Sequence, residues 1–135
     1  MIPTAFDYQR AASVAEAIEL LQAANGEARL LAGGHSLLPM MKLRLSEPAI
    51  LIDIGRIADL RGIEANGDGI RIGATTTHSE LERSDLLHDR CPILSDAAGM
   101  IGDPQVRNRG TIGGSLAHSD PGADLPAVVV ALDAT

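Results

Sequence analysis

Two pairs of adjacent glycines, about 80 residues apart, carry the clearest chemical signal in this chain. The first lies in LLAGGHSLLP (30–39) and the second in RNRGTIGGSLAHSDPGADLP (107–126). Glycine has no Cβ, so it adopts positive φ readily and lets an anion approach backbone N–H groups, which together form an anion-binding concavity. Thr111 and Ser115 place hydroxyl groups on either side of the second pair. Two such turns predict one extended ligand that contains a diphosphate and is held from two sides.

The composition excludes several other classes of ligand. The chain has 135 residues and a net charge of −7, with 18 acidic and 11 basic residues. This balance is the opposite of what a nucleic acid or an anionic membrane surface requires. Phe6 and Tyr8 are the only aromatic residues, so stacking platforms for single-stranded nucleic acid are lacking. The length and the 45% of hydrophobic residues predict one modest folded domain.

The cysteine count and the apolar segments bear on where the protein works. Cys91 is the only cysteine, which leaves no internal disulfide and no cysteine set for an iron–sulfur cluster, and which fits a reducing, cytoplasmic setting. No run of 18 apolar residues is present, and the N-terminal residues lack a basic segment followed by an apolar one. We therefore expect neither a membrane span nor a signal peptide.

The first 55 or so residues alternate between helix and strand signals. Ser13 and Glu16 form a capping box for a helix that Asn25 and its following glycine end. A buried strand over residues 28–32 follows, and the first glycine pair comes at its end. Next come a short helix over 36–45, which Pro39 interrupts early, and a second buried strand over 49–54. Such a unit predicts parallel strands with a right-handed crossover and a ligand beyond their carboxyl ends.

Residues 57–135 differ in character from residues 1–56, and we expect them to form a second part. A hairpin is predicted around residues 66–69, with strands near 60–65 and 70–74. Thr77 and Glu80 form another capping box, and Pro92 opens a helix to about Met100. An irregular loop with Asp103-Pro104 and a helix over 121–131 follow. The apolar end VVVALDAT and the isolated hairpin predict a fragment, or half of a larger fold.

The segments AGGHSLLPMMKLRLSEPAILIDIGRI and NRGTIGGSLAHSDPGADLPAVVVALDA resemble the FAD-binding subunits of molybdenum hydroxylases. That family includes the medium subunit of carbon monoxide dehydrogenase and its relatives in xanthine dehydrogenases. The resemblance runs from about Phe6 to Thr135. It implies an α+β fold of the p-cresol methylhydroxylase type, with a small parallel α/β subdomain (1–56) and the first part of a larger mixed subdomain (57–135). The remainder of that subdomain and a C-terminal domain would lie beyond this chain.

The resemblance also implies which residues hold FAD. Both glycine turns would wrap the pyrophosphate, and an acidic residue would contact the sugar and adenine side. By motif position these are Ala32, Gly33, Gly34, His35 and Ser36 in the first turn, Thr111, Gly113, Gly114 and Ser115 in the second, and Asp124. Leu31, Ile101 and Gly102 match lining positions, and His118 a polar contact. Many members carry Asn where Ser115 stands, so a side-chain amide contact would become a hydroxyl contact.

The function implied by the resemblance is electron transfer. Flavin links one-electron iron–sulfur clusters to a two-electron acceptor, and no catalytic side chain of this chain is required. The partners implied are a small iron–sulfur subunit and a large molybdopterin subunit, and no residue here is expected to bind a metal. Two alternatives remain: a self-contained flavin oxidase or reductase, and a non-catalytic fragment without FAD. Neither the substrate nor the terminal acceptor is decided by this sequence.

Several of these residues also have a purely structural reading. Gly33-Gly34 could be an ordinary tight turn between a strand and a helix, and His35 could point to solvent. Capping and turn chemistry alone would explain His118, and we expect Asp120 to be a helix cap or a first-turn acid rather than a ligand. We expect surface positions for His78 and His88 and a buried apolar role for Cys91, whereas Arg107 and Arg109 are either solvated loop charges or contacts to phosphate or a partner.

Overall fold

The computed structural model describes all 135 residues, which form two compact units, Met1–Asp59 and Leu60–Thr135. Each unit has its own set of buried apolar side chains. No helix in the structure combines the length and the apolar composition that crossing a bilayer requires.

The first unit is built on a three-stranded parallel sheet. Its strands are β1 (Asp7–Arg10), β2 (Ala28–Leu31) and β3 (Ile50–Asp53), in the order β1-β3-β2. Helix α1 (Val14–Ala23) connects β1 to β2, and α2 (Leu37–Lys42) connects β2 to β3. The predicted succession of helix, strand, glycine turn, short helix and strand is confirmed, as is the parallel pairing of the two predicted strands.

Three details of this unit differ from expectation. Strand β1 was not predicted, because its sequence DYQR is exposed throughout and gives no apolar pattern. Strand β2 is not fully buried: it pairs with β3 alone, and Leu30 is 42% exposed. Pro39 does not interrupt α2, because it occupies the third helical position, where a backbone N–H would have no partner inside the helix.

The second unit begins with a short 3-10 turn (Ala58–Leu60, shared with the end of the first unit) and the predicted hairpin, β4 (Ile63–Asn66) and β5 (Gly69–Ile72). Gly67 takes φ +58° at the first loop position, which suits a two-residue turn whose twist matches the strands. Isoleucines of both strands pack on the helical core, so the hairpin does not stand alone.

Six helices complete the second unit. They are α3 (His78–Glu82), α4 (Asp85–Arg90), α5 (Pro92–Met100), α6 (Pro104–Arg107), α7 (Ile112–His118) and α8 (Asp124–Ala131). The core joins side chains from five of them, namely Leu81, Leu87, Leu94, Ala98, Ile112 and Leu125. The predicted helix from Pro92 to Met100 is confirmed. The segment after Asp103 is a helical turn capped by the Asp103 carboxylate rather than irregular loop, and the last helix begins at Asp124 rather than 121.

Candidate functional site

The first glycine pair lies at the carboxyl end of β2, in the five-residue connection to α2. The N–H of Ile54 donates to the carbonyl of Leu31 at 2.9 Å, which holds the start of this connection against the end of β3. Gly34 takes φ +79°, in the left-handed region that favours glycine. The turn therefore occupies the position at which open α/β units bind ligands.

The backbone N–H groups of Gly33, Gly34, His35 and Ser36 donate to no acceptor in the protein. These residues are exposed or half-buried and directly precede α2, so their N–H groups are accessible to a ligand or to water. A run of such donors in a glycine turn is suited to an anion with several oxygens, such as a diphosphate.

Two side chains of the same turn are also available. Ser36 occupies the N-cap position of α2, but its hydroxyl makes no capping hydrogen bond. His35 is exposed, and its Nδ1 atom lies 3.4 Å from the carbonyl oxygen of Gly33, at the long limit of a hydrogen bond. The Ser36 hydroxyl and the His35 imidazole therefore do not stabilise the fold and are available to a ligand.

Behind the turn, Asp53 at the end of β3 fixes the neighbouring backbone. One carboxylate oxygen accepts from the N–H of Gly55 at 2.8 Å, and the other accepts from the hydroxyl of Tyr8. A Cβ on Gly55 would lie 3.2 Å from that carboxylate and 3.6 Å from the carbonyl oxygen of Ala32. Asp53 therefore stabilises the backbone next to the glycine turn through these two hydrogen bonds.

The second glycine pair is not a turn. Gly113 and Gly114 lie in the first turn of α7, whose N-cap is Thr111. The backbone N–H groups of this turn are all bonded: that of Ile112 to Thr76 O (3.0 Å), Gly113 to Ala74 O (2.8 Å), Gly114 to Thr111 Oγ1 (3.2 Å) and Ser115 to Thr111 O (3.0 Å). The expectation of a second set of bare N–H groups is therefore wrong at these positions.

Close packing explains why glycine stands at both positions. A Cβ on Gly113 would lie 2.6 Å from Ala74 Cβ and 2.7 Å from its carbonyl oxygen, and a Cβ on Gly114 would lie 2.7 Å from Thr111 Oγ1.

The groups of the second glycine motif that remain available to a ligand are side-chain hydroxyls. Ser115 is half-buried and its hydroxyl makes no hydrogen bond within the protein. The hydroxyl oxygen of Thr111 accepts the bond from Gly114, which leaves its proton to donate.

Residues 74–78 support the second motif, a contact that was not predicted from the sequence. Thr77 forms an isolated antiparallel bridge with Thr111, and the N–H of His78 donates to the carbonyl of Gly110 at 2.9 Å. His78 is only 5% exposed, so its predicted surface position is wrong, whereas His88 is exposed as expected. A Cβ on Gly110 would lie 2.7 Å from the His78 ring, which requires glycine there.

The capping box of α3 is confirmed and keeps Thr77 in place. The Thr77 hydroxyl accepts from the N–H of Glu80, and the Glu80 carboxylate accepts from both the N–H and the hydroxyl of Thr77. Burial raises the pKa of Glu80, but these hydrogen bonds and the Arg61 guanidinium outweigh it, so the pKa lies below its ordinary value of 4.5.

This lowered pKa predicts a pH-dependent contribution to stability. The contribution is present above the unfolded-state pKa and is lost as pH falls through the lower folded-state pKa. We expect Glu80→Gln to lower the thermal unfolding midpoint at pH 7, and the difference from the parent protein to shrink as the pH falls below 4.5. Glu64→Gln, at an exposed hairpin position, is the matched control. A difference that stays constant from pH 7 to pH 3 would contradict this account.

The remaining predicted site residues have different surroundings. Ile101 packs against the core, and the carbonyls of Ile101 and Gly102 accept from Arg107, which also pairs with Glu82 at 2.9 Å. Arg107 thus has a structural role, and its side chain is only 14% exposed. Cys91 is half-buried against the core.

The end of α7 and the start of α8 carry the other polar residues of the second motif. His118 is exposed in the last turn of α7, and Asp124 is exposed in the first turn of α8, where no capping bond occupies it. Asp120 accepts from the N–H of Gly122 at 2.8 Å in the turn before α8. The predicted role as a helix cap or first-turn acid is wrong, because Ala123 is the N-cap and α8 begins only at Asp124. Whether His118 and Asp124 touch a ligand remains a prediction.

Taken by class, the chain is an α+β protein with a glycine turn suited to a diphosphate at the carboxyl end of a small parallel sheet. Residues 4–135 match the family described as the FAD binding domain in molybdopterin dehydrogenase, so the chain belongs to that family. The resemblance seen in the two glycine segments is confirmed.

Individual relatives agree with this assignment. The carbon monoxide dehydrogenase medium chain of Hydrogenophaga pseudoflava is 54% identical over 99% of this chain and 47% of its own length. The 6-hydroxypseudooxynicotine dehydrogenase complex subunit alpha of Paenarthrobacter nicotinovorans is 48% identical over 99% of this chain and 45% of its own length. A solved structure of the Hydrogenophaga pseudoflava carbon monoxide dehydrogenase that lacks the Mo-pyranopterin moiety matches with a TM-score of 0.96 and 55% identity, over 97% of this chain and 46% of that chain. The predicted fold class is thereby confirmed, and the chain spans just under half the length of these relatives.

Proposed function

We propose that this polypeptide is the FAD-binding part of an electron-transfer subunit in a molybdenum hydroxylase, and that the glycine turn of residues 32–36 binds the FAD pyrophosphate. The observation that carries the proposal is the run of four backbone N–H groups, from Gly33 to Ser36, that have no acceptor in the protein. A diphosphate supplies several charged oxygens, and hydrogen bonds to charged groups contribute about 1.5–3 kcal/mol each.

The second motif would take part through its hydroxyls. Ser115 and Thr111 both have an O–H that no protein acceptor uses, and α7 holds them in place through the packing of Gly113 on Ala74. Donors fixed in advance lose little conformational entropy when a ligand binds. Asp124 would accept hydrogen bonds from the sugar and adenine side of FAD, as the family resemblance implies.

The full set of proposed FAD contacts is the one expected from the sequence. It comprises Leu31, Ala32, Gly33, Gly34, His35, Ser36, Ile101, Gly102, Thr111, Gly113, Gly114, Ser115, His118 and Asp124. The structure changes how two members would act, because Gly113 and Gly114 have no free N–H and would contribute by allowing close approach. Under this proposal, residues 1–56 form the small FAD-binding subdomain and residues 57–135 the first part of the second one.

Bound flavin would exchange electrons singly or in pairs, which suits a carrier between iron–sulfur clusters and a two-electron acceptor. This chain would bind and orient the cofactor by its backbone donors and hydroxyls. We infer a partner with molybdopterin from the description of the matching family, and a partner with iron–sulfur clusters from the family resemblance. The single cysteine fits a cytoplasmic location. The different substrates in those relatives' names leave the substrate of the complex open.

Ser36→Ala tests the proposal without disturbing the fold. Because the Ser36 hydroxyl makes no capping bond, its loss should leave the thermal midpoint of the FAD-free protein unchanged. If the hydroxyl donates to a phosphate oxygen, FAD affinity should fall about tenfold, as expected for one hydrogen bond to a charged group. Flavin absorbance of the purified protein and fluorescence titration with FAD measure the effect.

Ser46→Ala is the matched control in the same unit. Its hydroxyl also makes no hydrogen bond, and it precedes β3, toward the opposite end of the sheet from the glycine turn. Equal FAD affinities of the two variants would remove Ser36 from the site. A full-length protein that shows no flavin absorbance and does not bind added FAD would support the non-catalytic alternative and overturn the proposal.

A further inference from the structure

One carboxylate links strand β1 to the connection that follows β3. It belongs to Asp53, the last residue of β3, which is the central strand of the sheet. One of its oxygens accepts from the hydroxyl of Tyr8 on β1, and the other accepts from the N–H of Gly55 at 2.8 Å. Neither Tyr8 nor Asp53 belongs to the proposed FAD contacts.

The connection after β3 lies against the base of the glycine turn, formed by Leu31 and Ala32. The N–H of Ile54 donates to the carbonyl of Leu31 at 2.9 Å. Gly55 lies so close to the turn that a Cβ built on it would be 3.6 Å from the carbonyl oxygen of Ala32. This base directly precedes the four free N–H groups, so the position of the connection bears on the direction in which those groups point.

The hydrogen bonds of residues 33–36 themselves are all local. The carbonyls of Gly34 and Ser36 accept from N–H groups in α2, and the ring of His35 approaches the carbonyl of Gly33. None of these contacts reaches another strand of the sheet. The orientation of the turn relative to the sheet is therefore set at its base and by α2.

The Asp53 carboxylate is held by two donors at once. Hydrogen bonds to an ionised group are stronger than those between neutral groups, so the hydroxyl of Tyr8 restrains the side chain of Asp53. The same side chain restrains the N–H of Gly55, and through it the base of the glycine turn. Backbone donors whose direction is fixed before a ligand arrives lose less conformational entropy when it binds.

We propose that Tyr8 and Asp53 are positioning residues for the diphosphate of FAD. Tyr8 fixes the carboxylate of Asp53, and the carboxylate fixes the connection against which the glycine turn lies. The inference rests on the proposed binding of FAD at residues 32–36. It adds to that proposal two residues that set the direction of the free N–H groups without touching the cofactor.

Equilibrium titration of the full-length, FAD-free protein with FAD tests this role. The titration is made well below the thermal midpoint of each variant, where circular dichroism shows it to be folded, so lost stability alone leaves the affinity unchanged. We expect Tyr8→Phe, which removes only the hydroxyl, to weaken FAD binding about fivefold, as for the loss of one hydrogen bond. Asp53→Ala also releases the N–H of Gly55 and should weaken binding about tenfold or more.

Two further variants show whether Tyr8 acts through the carboxylate. The double variant Tyr8→Phe/Asp53→Ala should bind FAD no more weakly than Asp53→Ala, because the hydroxyl has lost the group through which it acts. Asp53→Asn should keep most of the affinity, since the amide oxygen can accept from Gly55 and the amide N–H can donate to the Tyr8 hydroxyl.

Asp7→Ala is the matched control. It removes the same charge from an exposed residue at the start of β1, at the opposite end of the parallel sheet, and its FAD affinity should equal that of the parent protein. If the parent binds FAD but Tyr8→Phe and Asp53→Ala bind it as tightly, this inference is overturned and the proposed function stands. Independent, multiplying effects in the double variant also overturn the inference. A parent protein that does not bind FAD overturns the proposed function and this inference with it.

Discussion

Replacing Gly113 by alanine is expected to lower the free energy of unfolding by about 3 kcal/mol, which combines the usual penalty of overpacking with the loss of one hydrogen bond. The added Cβ would lie 2.7 Å from the carbonyl oxygen and 2.9 Å from the Cα of Ala74, and backbone atoms cannot rotate away as a flexible side chain can. The N–H bond of Gly113 to that carbonyl, 2.8 Å long, would be strained at the same time. Thermal unfolding followed by circular dichroism should show a midpoint lower by about 10 °C.

Gly69→Ala is the appropriate control for that variant. Its Cβ would meet nothing closer than 3.5 Å, at the carbonyl oxygen of Asn66, and its φ is not positive. The free energy of unfolding should change by less than about 0.5 kcal/mol, as for most surface substitutions. If Gly113→Ala melts at the same temperature as Gly69→Ala, α7 does not pack on Ala74 as the structure has it.

Replacing Gly34 by valine is expected to weaken FAD binding about a hundredfold. A β-branched residue at φ +79° is a strong outlier, so the turn must change its backbone conformation. The N–H groups of His35 and Ser36 would then point elsewhere, and losing two hydrogen bonds to a charged pyrophosphate accounts for a change of this size. Equilibrium titration of the FAD-free protein with FAD measures it.

Gly26→Val provides a control with the same backbone strain. Gly26 lies in the same unit, has φ +92°, and has open space where its Cβ would be. Both variants should lose stability through the strained conformation, but only Gly34→Val should lose FAD affinity. Equal affinities in the two variants would show that the glycine turn of residues 32–36 does not hold the pyrophosphate.

Local signals in the sequence were sufficient for much of the fold. The capping boxes of Ser13 and Thr77 and the hairpin turn at Gly67 depend on residues within four positions of one another, so their sequence patterns identified them. The capping box of Ser13 varies slightly, since Glu16 bonds the N–H of Ala12 at 2.7 Å. The parallel pairing of β2 with β3 followed from the succession of elements alone.

Features set by distant parts of the chain could not be predicted in this way. Strand β1 exists because its backbone pairs with β3, more than 40 residues later, and its side chains give no sign of it. The burial of His78 depends on Gly110, which lies far along the chain and leaves room for the ring. In both cases the deciding contact is tertiary, and the local sequence is polar.

In the candidate site, too, features set by neighbouring residues were predictable from the sequence and features set by distant contacts were not. The first glycine pair was predicted correctly as a turn after a strand, because a strand end followed by Gly-Gly is a local pattern. For the second pair, the acceptors of the N–H groups of Ile112 and Gly113 lie on Thr76 and Ala74, which no local pattern connects to them. The role of each residue in FAD binding remains a prediction.

The different hydrogen bonding of the two glycine pairs has a consequence for the empty protein. Water must solvate the amides from Gly33 to Ser36 whenever no dinucleotide is present, so their protons should exchange rapidly with solvent. The amides at the start of α7 are shielded by their own acceptors in the empty and the filled protein alike. Cofactor uptake would therefore displace hydration water and restrict motion chiefly in the short connection after β2, while α7 remains a preorganised surface throughout.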